Sequence, residues 1–396
     1  MLSKKAQSIS LSPTMAIDSK AKELKAQGVD VIGFGAGEPD FDTPAHIREA
    51  AIKAINEGHT RYTPAAGTLE LKEAICKKFK NDNKLDYETA QIVISSGAKN
   101  SLFNALSAVI NPGDEVLIPV PYWVSYPELV KLNDGTPIAV RSSEKNSLKV
   151  TVEDLKDYYT AKTKVLILNS PTNPTGQVYS ADELKAIADF CSENNIMVIA
   201  DEVYEKLIYS DARHVSIASF NERIKELAII VNGASKSYAM TGWRIGYTAS
   251  SPEIAKIMGA VQSHATGNPN AIAQKAAVAA LQNDQACVEE MRLVFDERRQ
   301  YMYERINKMP YLNALEPIGA FYLFFNLAEA VGKSYKGEKI GGSDDFARLL
   351  LDEQKVALVP GTGFGAPNYM RLSFATSMEN IKEGLNRLEA FVGDLQ

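Results

Sequence analysis

Short apolar runs alternate with longer amphipathic stretches from about residue 45 to about residue 290. Apolar positions at helical spacing predict helices over about 45–57, 69–81, 98–110 and 181–194. The runs between them predict strands over 91–95, 115–119, 165–169 and 196–201, and a further run, LAIIVN, closes at Asn232. Runs that are apolar throughout read as buried strands. Strands separated by helical patterns imply crossover units and a mostly parallel sheet, hence an α/β fold.

From about residue 288 the pattern changes. The charged stretch MRLVFDERRQYMYERINKM predicts long helices, 320–326 a strand and about 378–395 a final helix. This reads as a smaller α+β domain. The expected division is a large domain over 41–290, with 1–40 and 291–396 forming the small one.

Chemistry collects where strands end. IMVIAD closes on Asp201, and LAIIVN closes just before Gly233-Ala234-Ser235-Lys236, with Arg244 downstream in Thr241-Gly242-Trp243-Arg244-Ile245-Gly246. Open α/β sheets bind ligands outside the carboxyl ends of their strands. A carboxylate, an amine and a guanidinium at that edge suit an aromatic phosphate cofactor held through a lysine imine. A carboxylate ending a buried strand is costly unless paired, and a protonated pyridine nitrogen would pair it. The competing reading makes Asp201 a helix cap and Lys236 surface charge. Ser95-Ser96-Gly97-Ala98-Lys99 joins a strand to a helix, and such a helix start with a nearby cation favours phosphate. Asn173 falls at the same edge, in a Pro/Gly-rich loop. That convergence favours the cofactor reading.

The glycine cluster Gly33-Phe34-Gly35-Ala36-Gly37 tempts a dinucleotide reading, but Glu38, Pro39 and Pro44 follow where a helix should open. Its glycines instead offer close backbone access to a ligand. A net charge of −6 argues against nucleic acid as the main partner. Three widely spaced cysteines lack a CxxC pair and match reduced thiols, not a disulfide frame or zinc site. The N-terminus lacks the apolar stretch of a signal peptide, and no apolar run is long enough to span a membrane. The expectation is a cytoplasmic protein that binds small molecules, with no metal, nucleic acid or membrane partner.

The segment Gly233-Ala-Ser-Lys-Ser-Tyr-Ala-Met-Thr-Gly-Trp-Arg-Ile-Gly246 resembles the lysine signature of class I pyridoxal-phosphate aminotransferases of fold type I. The likeness extends through AGEPDFDTP, RYTP, PYWVSYPE, NSPTNPTG, DEVYE, GAFYLF, VPGTGFG and MRLSFAT, and it is nearest the bacterial aspartate aminotransferases. It implies a seven-stranded, mostly parallel sheet flanked by helices in the large domain. It also implies that Lys236 carries pyridoxal 5'-phosphate covalently and moves the proton at Cα, while Asp201 keeps the ring nitrogen protonated. Asn173 and Tyr204 would bond the ring oxygen, and Trp123 would stack on the ring. Gly97, the Ala98 N–H, Lys99, Ser235 and Arg244 would hold the phosphate, with Tyr62 lent by the neighbouring subunit of a homodimer. Arg371, Gly37, Trp123 and Asn173 would bind the substrate α-carboxylate side, and Lys99, Ser12 and Thr14 the distal carboxylate.

The implied reaction is transfer of the amino group of L-aspartate to 2-oxoglutarate in two half-reactions. Relatives that also use prephenate resemble the chain at Thr14 and Lys99 but carry a basic residue where Ser10 stands. Other readings within the resemblance are an aromatic or prephenate aminotransferase and a C–S lyase that keeps the cofactor. A non-catalytic relative serving as a binding module is the reading from another class. The intact lysine, aspartate and both arginines speak against it.

Overall fold

The computed structural model describes residues 2–10 and 13–396. Its largest sheet has seven strands, in the order Ile92–Ser95, Gly246–Ala249, Ala228–Gly233, Met197–Asp201, Thr163–Asn169, Glu115–Val120 and Thr136–Arg141. Gly246–Ala249 runs antiparallel to both neighbours, and the other pairs run parallel. Side chains alternate between two cores, one on each face. Leu166 and Leu168 pack with Leu71, Leu184 and Ile187, whereas Val165 and Ile167 pack with Leu102, Leu106 and Met258. Helices cover both faces, so the central strands are apolar on both sides.

A second sheet is antiparallel, in the order Val359–Pro360, Tyr369–Ser373, Tyr322–Asn326 and Asn313–Ala314. It shares a core with Phe346, Leu385 and Phe391 from the helices Ser343–Gln354 and Met378–Gly393. The N-terminal segment joins this part of the molecule. Ile32–Gly33 pairs in parallel with Val356–Ala357, and Ser373 donates its N–H to the Phe34 carbonyl at 2.8 Å. Those contacts lay residues 35–38 across the strand that carries Arg371.

Around the glycine cluster only Ile32–Gly33 forms a strand, two residues long. Two expectations change in detail. The charged stretch after residue 288 is one 21-residue helix, Ala286–Ile306, rather than several. It gives Val288 to a core of the large sheet and Met291 and Phe295 to the second core. The helix predicted over 69–81 stops at Lys78 and continues as a π turn, Phe79–Asn83, which leaves both Lys78 and Asn83 buried. Among the described residues no helix is long and apolar enough to cross a membrane.

Candidate active site

A cavity of about 370 Å³ opens at the carboxyl ends of the parallel strands, roofed by Gly37, Glu38, Tyr322 and Arg371. Asp201 lies at its base, 4% exposed. The Tyr126 hydroxyl donates to Asp201 Oδ2 at 2.7 Å, and the Val203 N–H donates to Oδ1 at 3.4 Å. Burial pushes the Asp201 carboxyl up to about 6, against the pull of those two donors and of Lys236. A cation placed against this carboxylate would restore its charged form.

Lys236 stands across the cavity, half-buried, with its ammonium 5.8 Å from the Tyr204 ring centre and 5.7 Å from that of Phe321. It donates to the Gly37 carbonyl at 2.5 Å. Burial brings its pKa down to about 8; Glu38 opposes the shift, and Arg244 and Arg371 add to it. A sizeable neutral fraction near neutral pH is what a nucleophilic amine needs.

At one end of the cavity the loop 95–97 meets Arg244. Gly97 has φ +87°, and a Cβ there would fall 2.2 Å from the Arg244 guanidinium, so the loop and the arginine can be this close only at a glycine. Arg244 donates to the Thr241 carbonyl at 2.9 Å and to the Ser96 carbonyl at 3.4 Å, and its side chain stays open to solvent. The helix Ala98–Val109 starts here, with Ala98 and Lys99 on the cavity wall and Ser235 opposite. The Lys99 ammonium sits 4.9 Å from the Trp123 ring centre, and burial lowers its pKa, helped by Arg244. A helix start flanked by two cations is an anion site.

At the other end lies Arg371, 1% exposed. It donates to Asn173 Oδ1 at 3.0 Å and to the Gly35 carbonyl at 3.1 Å, while its Nε has no partner. The guanidinium packs 4.4 Å from the Tyr322 ring centre and 5.1 Å from that of Phe364. Among the described residues no carboxylate pairs with it. A buried guanidinium lacking a counter-ion is costly unless an anionic ligand completes it.

The sequence-predicted residues Gly37, Ala98, Lys99, Trp123, Asn173 and Asp201 therefore face one space, together with Tyr204, Ser235, Lys236, Arg244 and Arg371. Gly97 adjoins it. Tyr62 does not reach its own cavity and projects outward, 96% exposed. Ser12 and the side chain of Thr14 lie outside the described residues. Three contributors were not singled out from sequence. Tyr126 and Tyr322 sit unremarked inside the motifs PYWVSYPE and GAFYLF, and Glu38 follows the glycine cluster. Tyr322 bonds hydroxyl to hydroxyl with Tyr204 at 3.0 Å, and Glu38 accepts from Thr241 at 2.6 Å.

The donor set suits a flat ring with a basic nitrogen toward Asp201, an anionic group toward Arg244 and an electrophilic carbon toward Lys236. Residues 29–388 match the family of class I and II aminotransferases. The chain belongs to that family. An aspartate aminotransferase of Geobacillus stearothermophilus is 50% identical over 391 residues, which are 99% of this chain and 98% of that one. A probable aspartate/prephenate aminotransferase of Aquifex aeolicus is 47% identical over 96% of this chain and 95% of its own. The crystal structure of the aspartate aminotransferase from Rhizobium meliloti superposes with a TM-score of 0.97 at 40% identity, covering 100% of both chains. As a class I and II aminotransferase the chain is a pyridoxal-phosphate enzyme, and the cavity's residues fit that cofactor at each of its polar ends.

Proposed function

We propose that this aminotransferase moves the amino group of L-aspartate to 2-oxoglutarate, giving oxaloacetate and L-glutamate, as a cytoplasmic homodimer. The observation that carries the substrate side is the buried Arg371, which has no carboxylate partner among the described residues and faces the same space as Lys236. Its planar fork suits a bidentate grip on a carboxylate. Lys99, which lines the same space against Trp123, supplies positive charge beyond what Arg244 offers the phosphate, and this suits a molecule with two carboxylates over one with an apolar tail.

Pyridoxal phosphate supplies an electron sink for the pair left when the substrate Cα loses its proton. The protein's own residues do the rest. Asp201, ionised once a cationic ring nitrogen faces it, holds that nitrogen protonated, with Tyr126 and the Val203 N–H fixing the carboxylate's orientation. Lys236, brought to about 8 by burial, would hold the cofactor covalently and, once released, carry the proton at the substrate Cα. Asn173 and Tyr204 would bond the ring oxygen, and Trp123 would cover a ring face. Gly97, Ala98, Lys99, Ser235 and Arg244 would take the phosphate, while Gly37 and Arg371 would orient the α-carboxylate.

Residues 1–40 with 291–396 form the proposed small domain, set against 41–290; the second core, drawn mostly from outside 41–290 with Val203, Tyr204, Leu207 and Tyr209 added at its border, and the strand pairing of Ile32–Gly33 support that division. The nearly complete exposure of Tyr62 supports its use by a neighbouring subunit.

The test is a donor and acceptor panel on the cofactor-loaded protein, ranked by kcat/KM. L-aspartate with 2-oxoglutarate should lead, and L-aspartate alone should convert the cofactor to its aminated absorbance. Faster turnover of phenylalanine, asparagine or prephenate, or pyruvate released from cystathionine, would replace this reading.

A further inference from the structure

Behind Asp201 lies a buried polar cluster that touches no part of the cavity. The parallel ladder between Met197–Asp201 and Ala228–Gly233 ends at the pair Asp201 and Val231, with the Glu202 N–H bonded to the Val231 carbonyl at 2.9 Å. Past that point the two segments diverge, one into the turn of Val203, Tyr204 and Glu205, the other toward Lys236. One carboxylate spans the gap. Glu205, 8% exposed, accepts from Asn232 Nδ2 at 2.8 Å and from Asn83 Nδ2 at 2.7 Å, and it contacts the ammonium of Lys78. Lys78 also donates to Asn83 Oδ1 at 2.6 Å, which closes the ring of partners. Both come from the π turn and the residue before it, so that turn exists where it feeds this cluster.

We propose that Glu205 is a positioning residue. Its carboxylate clamps the turn that follows Asp201 and bears Tyr204 to the strand that delivers Lys236, and so fixes how that tyrosine and the amine face each other across the cavity. Burial alone would raise the Glu205 carboxyl, but Lys78, with His214 and Asn83, holds it down at about 2, so the clamp stays ionised at working pH. An ion pair buried this far adds little to stability compared with well-packed apolar residues. Its use is geometric: a carboxylate with three converging donors fixes two segments that the backbone ladder no longer joins.

The inference extends the aminotransferase reading, and its test separates the two. In a Lys78→Met background, which leaves no buried cation stranded, Glu205→Gln keeps the acceptor for Asn232 and Glu205→Leu removes it. In the cofactor-free proteins, amide exchange across residues 202–205 and 233–236 should be about tenfold faster with Leu than with Gln. In the loaded proteins, the Leu variant should lose about tenfold in kcat, with KM for aspartate changed less than about threefold. The pH midpoint of its lysine-linked cofactor absorbance should also move by on the order of one unit. The Gln variant should stay near the parent in all three. Equal exchange and equal midpoints in the Leu and Gln variants would overturn the clamp, whatever the substrate proves to be. Should the Leu variant fail to fold, Asn232→Ala takes its place: the same losses are expected, and parental exchange would overturn the proposal.

Discussion

The Tyr126 hydroxyl donates to Asp201 Oδ2 at 2.7 Å, which ties the helix Ser125–Leu132 to the end of the strand Met197–Asp201. Tyr126 is itself packed edge-on against Trp123, with ring centres 5.4 Å apart. One side chain thus orients the base of the cavity and supports its aromatic wall. Removing the hydroxyl with Tyr126→Phe leaves the ring packing in place and strips a donor from a charged acceptor, a loss of about 1.5–3 kcal/mol. Cofactor affinity should fall about 10–100-fold with an unchanged fold. Titration of the cofactor-free protein with pyridoxal phosphate measures this, and unaltered affinity would show that Asp201 needs no such support.

Asp201 also makes a pH prediction for the cofactor-free protein. Its carboxyl is raised from an ordinary 3.8 to about 6, so between these values the folded state holds a proton that the unfolded chain releases. This group therefore stabilises the fold below about pH 4 and loses that contribution as pH rises through about 6, by up to ~3 kcal/mol. Urea unfolding of parent and Asp201→Asn proteins across this window should show the difference between them changing by that order. A constant difference would mean that the carboxylate titrates normally.

Arg371→Ala should raise the KM for aspartate and cut kcat/KM by on the order of 2–5 kcal/mol, the cost of losing a buried charged partner. Arg371→Lys should recover little, because an ammonium cannot reproduce the planar fork lodged between Tyr322 and Phe364. Steady-state kinetics decide both. Near-parental efficiency in the Lys variant would move carboxylate binding elsewhere.

Much of this was legible in the sequence, for a physical reason. Strands buried on both faces, such as Thr163–Asn169 and Ala228–Gly233, are continuous apolar runs, and what ends them is conspicuous: Asn169, Asp201 and the Gly-Ala-Ser-Lys loop. Thr136–Arg141 stayed hidden because it is an edge strand, mostly half-exposed or exposed, whose apolar run is only the three residues 138–140 behind Pro137. Gly246–Ala249 carries only Tyr247 and Ala249 as apolar positions, and its first residue closes the lysine motif, so no apolar run marks it. Tyr322 could not be assigned from sequence, since its partners Tyr204 and Arg371 belong to other elements and meet it only in the folded chain. The charged stretch on the helix Ala286–Ile306 does not show in sequence which of its charges are interior: Arg298 and Arg299 are buried against acidic partners, Asp40 for one and Asp296 and Glu316 for the other.

The outward Tyr62 gives a prediction about assembly. Mixed dimers of Tyr62→Phe and Lys236→Ala subunits should regain one intact site per pair, because the Lys236-bearing site then receives Tyr62 from the other subunit. Activity no higher than that of the Tyr62→Phe homodimer would show that each chain completes its own site.

The proposed covalent attachment of the cofactor to Lys236 can be read by borohydride reduction of the protein loaded with pyridoxal phosphate, followed by peptide mapping. A pyridoxyl group is expected on the peptide containing Lys236, lost in Lys236→Ala together with nearly all turnover. Label on a different lysine, or none with the cofactor in excess, would contradict it.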